Sequence, residues 1–244
     1  MSRCFTFIVL FLLATTPALF AAVPKPQPGK QIEVTAADDA TDNPSYNYLL
    51  FVPANYEQQA TWPLIVFLHG SGERGDSLDL VKKHGPPKIV DSKPEFEFIV
   101  LSPQVPSDER WEADKLVQLI DQVTKTAHVD ADRIYLTGLS MGGYGTWTTA
   151  AKYPERFAAI VPICGGGEPE TAEKLKSLPC WVFHGAKDSA VSLKKSEEMV
   201  DALKQAGAAL KFTVYPDAGH DSWTESYNNP ELYKWLLDQR RKQK

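Results

Sequence analysis

The sequence predicts an α/β protein in which helices cover both faces of a doubly wound, mostly parallel sheet. Two observations carry this prediction. Apolar stretches with the composition of strands alternate along the chain with stretches of helical periodicity. In addition, "WPLIVFLHG" at 62–70 is apolar without alternation, as expected of a strand that is buried on both faces. A length of 244 residues fits a single domain.

The amino-terminal stretch "MSRCFTFIVLFLLATTPALFAA" is predicted to lie outside the domain, as a signal peptide over 1–22. Arg3 precedes an apolar run that is too short for a comfortable transmembrane helix, and Ala21 and Ala22 offer a cleavage site. We therefore expect a secreted or periplasmic protein without stable membrane insertion after cleavage, with an uncleaved anchor as the alternative. The Pro-rich residues 23–30 are predicted to form a flexible leader before the domain at 31–244.

Each strand of the domain is predicted from its apolar, β-branched or aromatic composition and from the turn residues that bound it. Two come first as β-rich stretches, and the others recur between helices. In chain order the predicted strands are 31–37, 46–53, 62–70, 96–104, 133–140, 157–165, 180–185 and 210–216.

The helices are predicted from apolar spacing and from their end signals. Residues 113–129 place leucine, isoleucine and valine side chains at helical spacing, and the helix at 142–154 stops at Pro154. A helix is expected to begin near Ser192, which suits an N-cap, and to end at Gly207. Shorter helices are expected before the strand at 96–104 and near 169–177, and the last helix at 229–241. No domain-sized insertion that could form a lid interrupts these elements.

Composition and charge limit the classes of partner. The chain is 43% hydrophobic and 23% charged, with a formal net charge of -5 and a pI near 5.6. This acidic balance argues against a nucleic-acid partner. The basic cluster "RRKQK" at the carboxyl terminus is interpreted as a solvated helix end. The oligomeric state is left open.

Two cysteines of the predicted domain bear on its redox chemistry. Cys164 ends one predicted strand and Cys180 begins the next, so that in parallel neighbours they lie at opposite ends of the sheet. A disulfide requires Cα atoms within roughly 7 Å. The sequence therefore predicts two free, buried thiols, and it contains no Cys/His pattern with metal-ligand spacing.

The stretch Gly138–Leu139–Ser140–Met141–Gly142 fits the pattern G-x-S-x-G between a predicted strand and a predicted helix. Glycines flank the serine in such an elbow because the strained turn leaves no room for neighbouring β-carbons. Ser140 is therefore a candidate nucleophile. The alternative is a glycine-rich turn without chemistry, because the pattern also occurs by chance.

A serine nucleophile needs a histidine base. His220 lies in the loop "DAGHDSW" directly after the last strand and is the candidate. His69 and His184 end buried strands and are expected to brace loops by hydrogen bonds. His84 and His128 are expected to be exposed.

The base in turn needs a carboxylate that orients it. Asp188 follows the penultimate strand in "HGAKD", whereas Asp217 and Asp221 lie nearer to His220 along the chain. Turn formation and loop capping are the alternative roles of all three aspartates.

Taken together, "LHGSGERGD", "RIYLTGLSMGGYGTW", "FHGAKDSAV" and "AGHDSW" resemble the signatures of α/β-hydrolases. The chain is similar to the esterase and predicted-peptidase group, which is related to polyhydroxybutyrate depolymerase-like and feruloyl esterase-like enzymes and to the catalytic domains of prolyl oligopeptidases. The resemblance covers roughly residues 31–240. It implies an α/β-hydrolase fold and the triad Ser140, Asp188 and His220, whose chain order is that of the fold.

The resemblance also implies an oxyanion hole formed by the backbone N–H groups of Met141 and Ser71, with Gly72 as the alternative second donor. Glu73 and Arg74 are expected to shape this loop, as an ion pair or as solvated groups. Hydrolysis of short-chain or polysaccharide-linked esters through an acyl-enzyme is then expected, and no metal or organic cofactor is needed.

Other functions remain open at this stage. A peptidase of the prolyl oligopeptidase type is one alternative, and a non-catalytic binding module on the same fold is another. The serine nucleophile disfavours a dehalogenase and a dienelactone-type enzyme, which use Asp and Cys. Trp111 and Trp223 both lie within sequence reach of an open cleft, with core packing as the alternative for each and slightly favoured for Trp223. Trp111 is the expected substrate-binding wall.

Overall fold

The computed structural model describes residues 25–36 and 46–241. The predicted signal peptide at 1–22 lies outside the described residues. Within the predicted leader, Pro28 pairs with Val52, and the N–H of Gly29 donates to the Val52 carbonyl at 2.9 Å. The backbone that pairs with the domain therefore begins no later than Pro28.

One eight-stranded sheet forms the centre of the protein, in the order β1-β2-β4-β3-β5-β6-β7-β8. The pairs β1–β2 and β2–β4 are antiparallel, and every other neighbouring pair in the sheet is parallel. The strands are β1 (Gln31–Val34), β2 (Asn47–Phe51), β3 (Trp62–Leu68), β4 (Ile99–Gln104), β5 (Val129–Leu139), β6 (Ala159–Ile163), β7 (Cys180–Gly185) and β8 (Leu210–Tyr215). The predicted mostly parallel sheet is confirmed.

Seven α-helices lie between or after these strands in the described part of the chain. They are α1 (Gly85–Val90), α2 (Ala113–Thr126), α3 (Met141–Lys152), α4 (Ala172–Leu175), α5 (Lys194–Gln205), α6 (Trp223–Asn228) and α7 (Pro230–Leu237). Side chains of α2, α3, α4 and α5 join a hydrophobic core on one face of the sheet. Side chains of α1, α6 and α7 join a second core on the other face. The sheet is thus covered on both faces, as the sequence predicted.

One helix differs from expectation, and another begins close to the predicted residue. The sequence does not predict helix α6, because its six residues lack apolar periodicity. The side chain of Asp221 accepts the Thr224 N–H at 3.0 Å and so caps the start of this helix. Helix α5 begins at Lys194, two residues after Ser192. Local caps and packing, rather than periodicity, decide these ends.

The basic carboxyl-terminal segment is tied to the domain more firmly than a solvated end would be. Arg241 lies 3.0 Å from the carboxylate of Asp132, and Arg240 lies 3.4 Å from that of Asp130. Both aspartates belong to the start of β5. Arg240 and Arg241 therefore attach the segment after α7 to the central strand.

Cys164 and Cys180 are both free and buried, which confirms the prediction made from strand direction. Cys164 follows the carboxyl end of β6, and Cys180 begins β7. In the described parts of the chain, no helix is long and apolar enough to cross a membrane.

Candidate active site

The candidate nucleophile lies on a strained turn between β5 and α3. Ser140 has φ 52° and ψ -115°, a conformation that side-chain-bearing residues rarely adopt. A methyl group at Gly142 would collide with the Leu68 carbonyl oxygen, and one at Gly138 would collide with the Gly142 carbonyl. Both glycines are needed because the first turn of α3 lies directly against the ends of β3 and β5. The turn has the geometry expected of G-x-S-x-G.

The structure brings the three predicted triad residues together from three loops at the carboxyl ends of the strands. The Nε2 atom of His220 lies 3.0 Å from Ser140 Oγ, and its Nδ1 atom lies 2.8 Å from Asp188 Oδ2. These are hydrogen-bond distances in the order that general-base activation of a serine requires. The side chain of His220 remains 28% exposed, so the hydrogen-bonded unit borders solvent.

The carboxylate of Asp188 is buried and fully hydrogen-bonded. Its Oδ1 atom accepts the backbone N–H groups of Ala190 and Val191, each at 2.9 Å. Burial acts to raise the pKa of Asp188, but the hydrogen bonds from His220 and from the two N–H groups outweigh it and lower that pKa. Asp188 therefore remains ionised at neutral pH and can hold the imidazole in one orientation. His184 supports it from another side, with Nε2 3.2 Å from Oδ2.

The other two candidate carboxylates are engaged elsewhere. Asp217 is exposed and forms an ion pair with Lys187 at 2.7 Å. Asp221 caps α6 and also accepts the Thr224 hydroxyl at 2.9 Å. The structure places Asp188, and neither of these residues, within hydrogen-bond distance of His220.

Two further histidines brace loops, as expected. Burial lowers the pKa of His69 to about 4, so its ring is neutral; Nδ1 lies 2.6 Å from the Gly70 carbonyl, and Nε2 accepts the Val105 N–H at 3.0 Å. His184 lies 2.7 Å from Ser196 Oγ through Nδ1 and 2.9 Å from the Val191 carbonyl through Nε2. His69 thereby holds the loop after β3, and His184 holds the loop that carries Asp188.

His128 is exposed as expected and stacks on Tyr56. The expectation that His84 is exposed is wrong: it is half-buried. Its ring contacts Trp223 with centroids 5.4 Å apart, and its Nε2 lies 3.7 Å from the carboxylate of Glu73. His84 therefore belongs to the surroundings of the site.

The predicted oxyanion loop forms a 3₁₀ turn at Ser71–Glu73, immediately after Gly70. Among the hydrogen bonds of the described residues, none uses the backbone N–H of Ser71 or of Met141, so both donors are available. A methyl group at Gly70 would lie 2.8 Å from Leu139 Cδ1, which shows how closely this loop packs against the serine turn. The two predicted donors thus come from neighbouring backbone segments.

Glu73 and Arg74 do shape the loop, but through different partners from the expected ion pair. Glu73 is buried beside His84. Arg74 donates to the carbonyl oxygens of Ser71 at 3.1 Å and Glu109 at 3.4 Å.

The structure buries Trp111 more deeply than Trp223. Trp111 is 8% exposed, its indole N–H donates to the His69 carbonyl at 3.2 Å, and its ring packs against Gly145 of α3. This packing does not match the expected open wall of a cleft. Trp223 is half-buried and meets the His220 ring edge-on, with centroids 5.2 Å apart. The residue spacing did not distinguish the two, because each lies a few residues beyond a predicted site element.

Comparison with known proteins identifies the family. Residues 47–233 match the dienelactone hydrolase family. The chain belongs to that family. Its recognition as an α/β-hydrolase from sequence motifs is therefore confirmed, together with the fold class.

Among relatives, a bifunctional acetylxylan esterase/xylanase from Neocallimastix patriciarum is 25% identical over 201 residues, which cover 76% of this chain and 27% of that protein. A poly(3-hydroxyalkanoate) depolymerase C from Paucimonas lemoignei is 42% identical over 55 residues, covering 22% of this chain and 13% of the relative. This dienelactone hydrolase family chain thus spans about a quarter or less of the length of these two relatives.

Solved structures show the same fold. A thermostable esterase superposes with a TM-score of 0.72 at 32% identity, covering 87% of this chain and 63% of that chain. A ferulic acid esterase superposes with a TM-score of 0.64 at 19% identity, covering 85% and 95% respectively, which shows a likeness of fold alone.

Membership of the dienelactone hydrolase family corrects one inference made from the serine. The nucleophile type was taken to disfavour a dienelactone-type protein, yet the family match is with that group. Residue 140 is nevertheless a serine at the end of β5, and Cys164 follows a different strand, β6. In this chain, membership of the family therefore goes with a serine at the position of the candidate nucleophile.

Cys164 lies behind the hydrogen-bonded pair. Its Sγ atom, a carboxylate oxygen of Asp188 and a ring nitrogen of His220 lie within 4.8 Å of one another. Burial raises the pKa of the Cys164 thiol to about 12, so the thiol is protonated at neutral pH and a poor metal ligand. The ring nitrogen and carboxylate are already bonded to each other. The arrangement favours the His220–Asp188 hydrogen bond over a cation site.

A cavity of about 670 Å³ lies far from this chemistry, at the amino ends of β6 and β7. Its walls include Phe157, Leu178 and Pro179, with Arg240 and Arg241 at the rim. No serine–histidine pair of the described residues faces it. The candidate active site is the half-open region around Ser140 instead.

Proposed function

We propose that this chain is a carboxylic ester hydrolase that acts through Ser140, His220 and Asp188, on short-chain or polysaccharide-linked acyl esters. The observation that carries the proposal is the unbroken chain of hydrogen bonds from Ser140 Oγ to His220 and on to Asp188. The family match and the named esterase relatives support the same class of reaction.

In the proposed mechanism, Ser140 attacks the ester carbonyl while His220 Nε2 accepts the hydroxyl proton. Asp188 stabilises the imidazolium that forms, and the N–H groups of Met141 and Ser71 donate to the oxyanion. His220 then returns the proton to the leaving alcohol as the C–O bond breaks. Water attacks the acyl-enzyme with the same base, which releases the acid and restores Ser140.

The mature protein is proposed to act outside the cytoplasm, because the amino-terminal sequence has the pattern of a signal peptide. Expression of the full chain with mass measurement of the exported product tests this point. A product that starts near residue 22 or 23 supports it, whereas an intact amino terminus contradicts it.

Two measurements test the activity. A fluorophosphonate probe should label the purified protein rapidly, and Ser140→Ala should abolish labelling, because only an activated serine reacts quickly. A parallel screen compares p-nitrophenyl esters, acetylated xylan and peptide amides. Faster cleavage of the amides than of all esters would support the peptidase alternative, and a lack of both labelling and turnover would support a binding module.

A further inference from the structure

Tyr144 is an aromatic residue that the mechanism leaves unused. It is 38% exposed, and among the described residues it is the one large hydrophobic side chain classed as exposed. It lies in the first turn of α3, where its N–H donates to the Ser140 carbonyl at 3.1 Å. Its position thus places an exposed aromatic ring one helical turn after the proposed nucleophile.

The direction of the side chain brings it nearer still. Residues four apart lie on the same face of a helix, and side chains tilt towards the helix amino terminus. Because α3 begins at Met141, the Tyr144 side chain leans towards the end of the helix at which Ser140 lies. The side chain therefore lies at the end of α3 that borders the half-open site.

A built support holds the ring. A methyl group at Gly166 would lie 3.1 Å from Tyr144 Cε1 and 3.0 Å from Lys195 Cβ. The ring edge and the Lys195 stem thus rest on the backbone that follows β6, which Ser196 Oγ fastens by donating to the Gly165 carbonyl at 2.9 Å. The remaining surface of the ring and the Lys195 side chain are exposed.

We infer that Tyr144, resting on Gly166 beside Lys195, is a stacking platform for the sugar ring that carries the ester, so that the substrate class is an acylated polysaccharide. This inference rests on the proposed function and specifies its alcohol component. A pyranose ring has an apolar C–H face and a rim of hydroxyl groups. A half-exposed aromatic ring can cover that face while the hydroxyl rim stays in water. The Lys195 ammonium, which lies 3.3 Å from the Glu198 carboxylate, has further N–H groups that can donate to a hydroxyl.

An acyl chain fits this surface less well. A CH₂ group adds to the binding free energy in proportion to the apolar surface that is removed from water. An exposed ring covers an acyl chain on one side and leaves the other sides in water. The platform therefore suits a flat, partly wet group.

The test compares acetylated xylan with p-nitrophenyl acetate, which has no sugar. Tyr144→Ala should lower the ratio of kcat/KM for the two substrates about fivefold, whereas Tyr144→Phe should retain the ratio. Gly166→Ala should also lower it, because the new methyl group displaces the ring. Tyr153→Ala removes a tyrosine at the other end of α3 and is the matched control, with an unchanged ratio expected.

A binding measurement separates this inference from the proposed function. In the Ser140→Ala background, xylohexaose binding is measured by calorimetry with and without Tyr144→Ala, and binding should weaken about fivefold. An unchanged ratio and unchanged binding in Tyr144→Ala would overturn the platform. If methyl ferulate loses as much activity as acetylated xylan, the ring serves the acyl group and the inference is again overturned. If the wild-type protein hydrolyses no ester at all, the result contradicts the proposed function instead.

Discussion

Ser140, the proposed nucleophile, has a strained backbone conformation. Its φ of 52° costs on the order of 1–3 kcal/mol for a residue with a β-carbon, and the close packing of Gly138 and Gly142 holds it there. We expect Ser140→Gly to raise the melting temperature by about 2–4 °C, because glycine adopts this conformation without strain and the gain exceeds its entropic cost. Calorimetry of the purified variants measures the change.

Ser140→Ala is the matched control, since alanine keeps the β-carbon and its melting temperature should stay near that of the wild type. Both variants should lose activity by about 10⁴-fold or more. An equal rise for alanine and glycine would show that the strain at this residue is not steric.

Asp188 should matter far more than the two aspartates nearer to His220 along the chain. Asp188→Asn should reduce kcat by about 10⁴-fold, because the amide cannot stabilise the imidazolium or hold the correct tautomer. Asp217→Asn and Asp221→Asn should change it little, since these residues bind Lys187 and cap α6. Esterase kinetics on p-nitrophenyl acetate decide the matter. A larger loss in either control variant would reassign the acid.

His69 should make stability depend on pH. Its pKa falls from an ordinary value of 6.5 to about 4 in the folded protein, so between these values the unfolded chain binds a proton that the folded protein excludes. The contribution of His69 to the free energy of unfolding is therefore complete above pH 6.5. It declines by up to about 3 kcal/mol as the pH falls towards 4.

Urea unfolding at pH 7.5, 5.5 and 4.5 measures this effect. His69→Asn, whose amide can serve the Gly70 carbonyl and the Val105 N–H, should flatten the pH profile relative to the wild type. Parallel profiles would exclude His69 as the titrating group.

At the scale of elements, the contact between α3 and β3 decides whether the serine turn can form. The first turn of α3 lies so close to Leu68 that Gly142 has no space for a side chain. Gly142→Ala should destabilise the fold by about 1–3 kcal/mol and lower kcat, because it pushes the Met141 N–H away from the oxyanion loop.

Gly72→Ala provides the control, since no atom lies within 4 Å of its new methyl group. Circular dichroism and esterase kinetics compare the two variants. Full activity in Gly142→Ala would mean that the helix moves without cost and that the close approach is dispensable.

The elements of the site come from both sides of the sheet. Helix α3 lies on one face, α6 on the other, and Trp223 of α6 presses on the His220 ring. Helix α6 also keeps Asp221 occupied as a cap, which leaves Asp188 as the partner of His220. A short polar helix thus helps to determine which carboxylate pairs with His220.

At the scale of the whole molecule, the site is half-open. Ser140 and His220 are partly exposed, and the connection between β6 and β7 carries the short helix α4 rather than a lid-sized insertion. We expect activity to fall once the acyl chain exceeds about eight carbons, because further CH₂ groups stay in water and add nothing to binding.

A series of p-nitrophenyl esters measures this dependence, and triglyceride emulsions test for interfacial activation, which we do not expect. A jump in rate at a lipid–water interface would contradict the open site.

The sequence by itself determined the order of strands and helices, the doubly wound sheet and the turn around Ser140, because buried parallel strands and flanking glycines leave local patterns. It also predicted the free thiols, since strand direction alone separates Cys164 from Cys180. Tertiary structure decided the matters that depend on distant packing. It buried Trp111 under α3, turned Trp223 towards His220 and half-buried His84 beside Glu73. Residue spacing carries no signal for these choices, because each depends on which side chains from separate strands and helices share one volume.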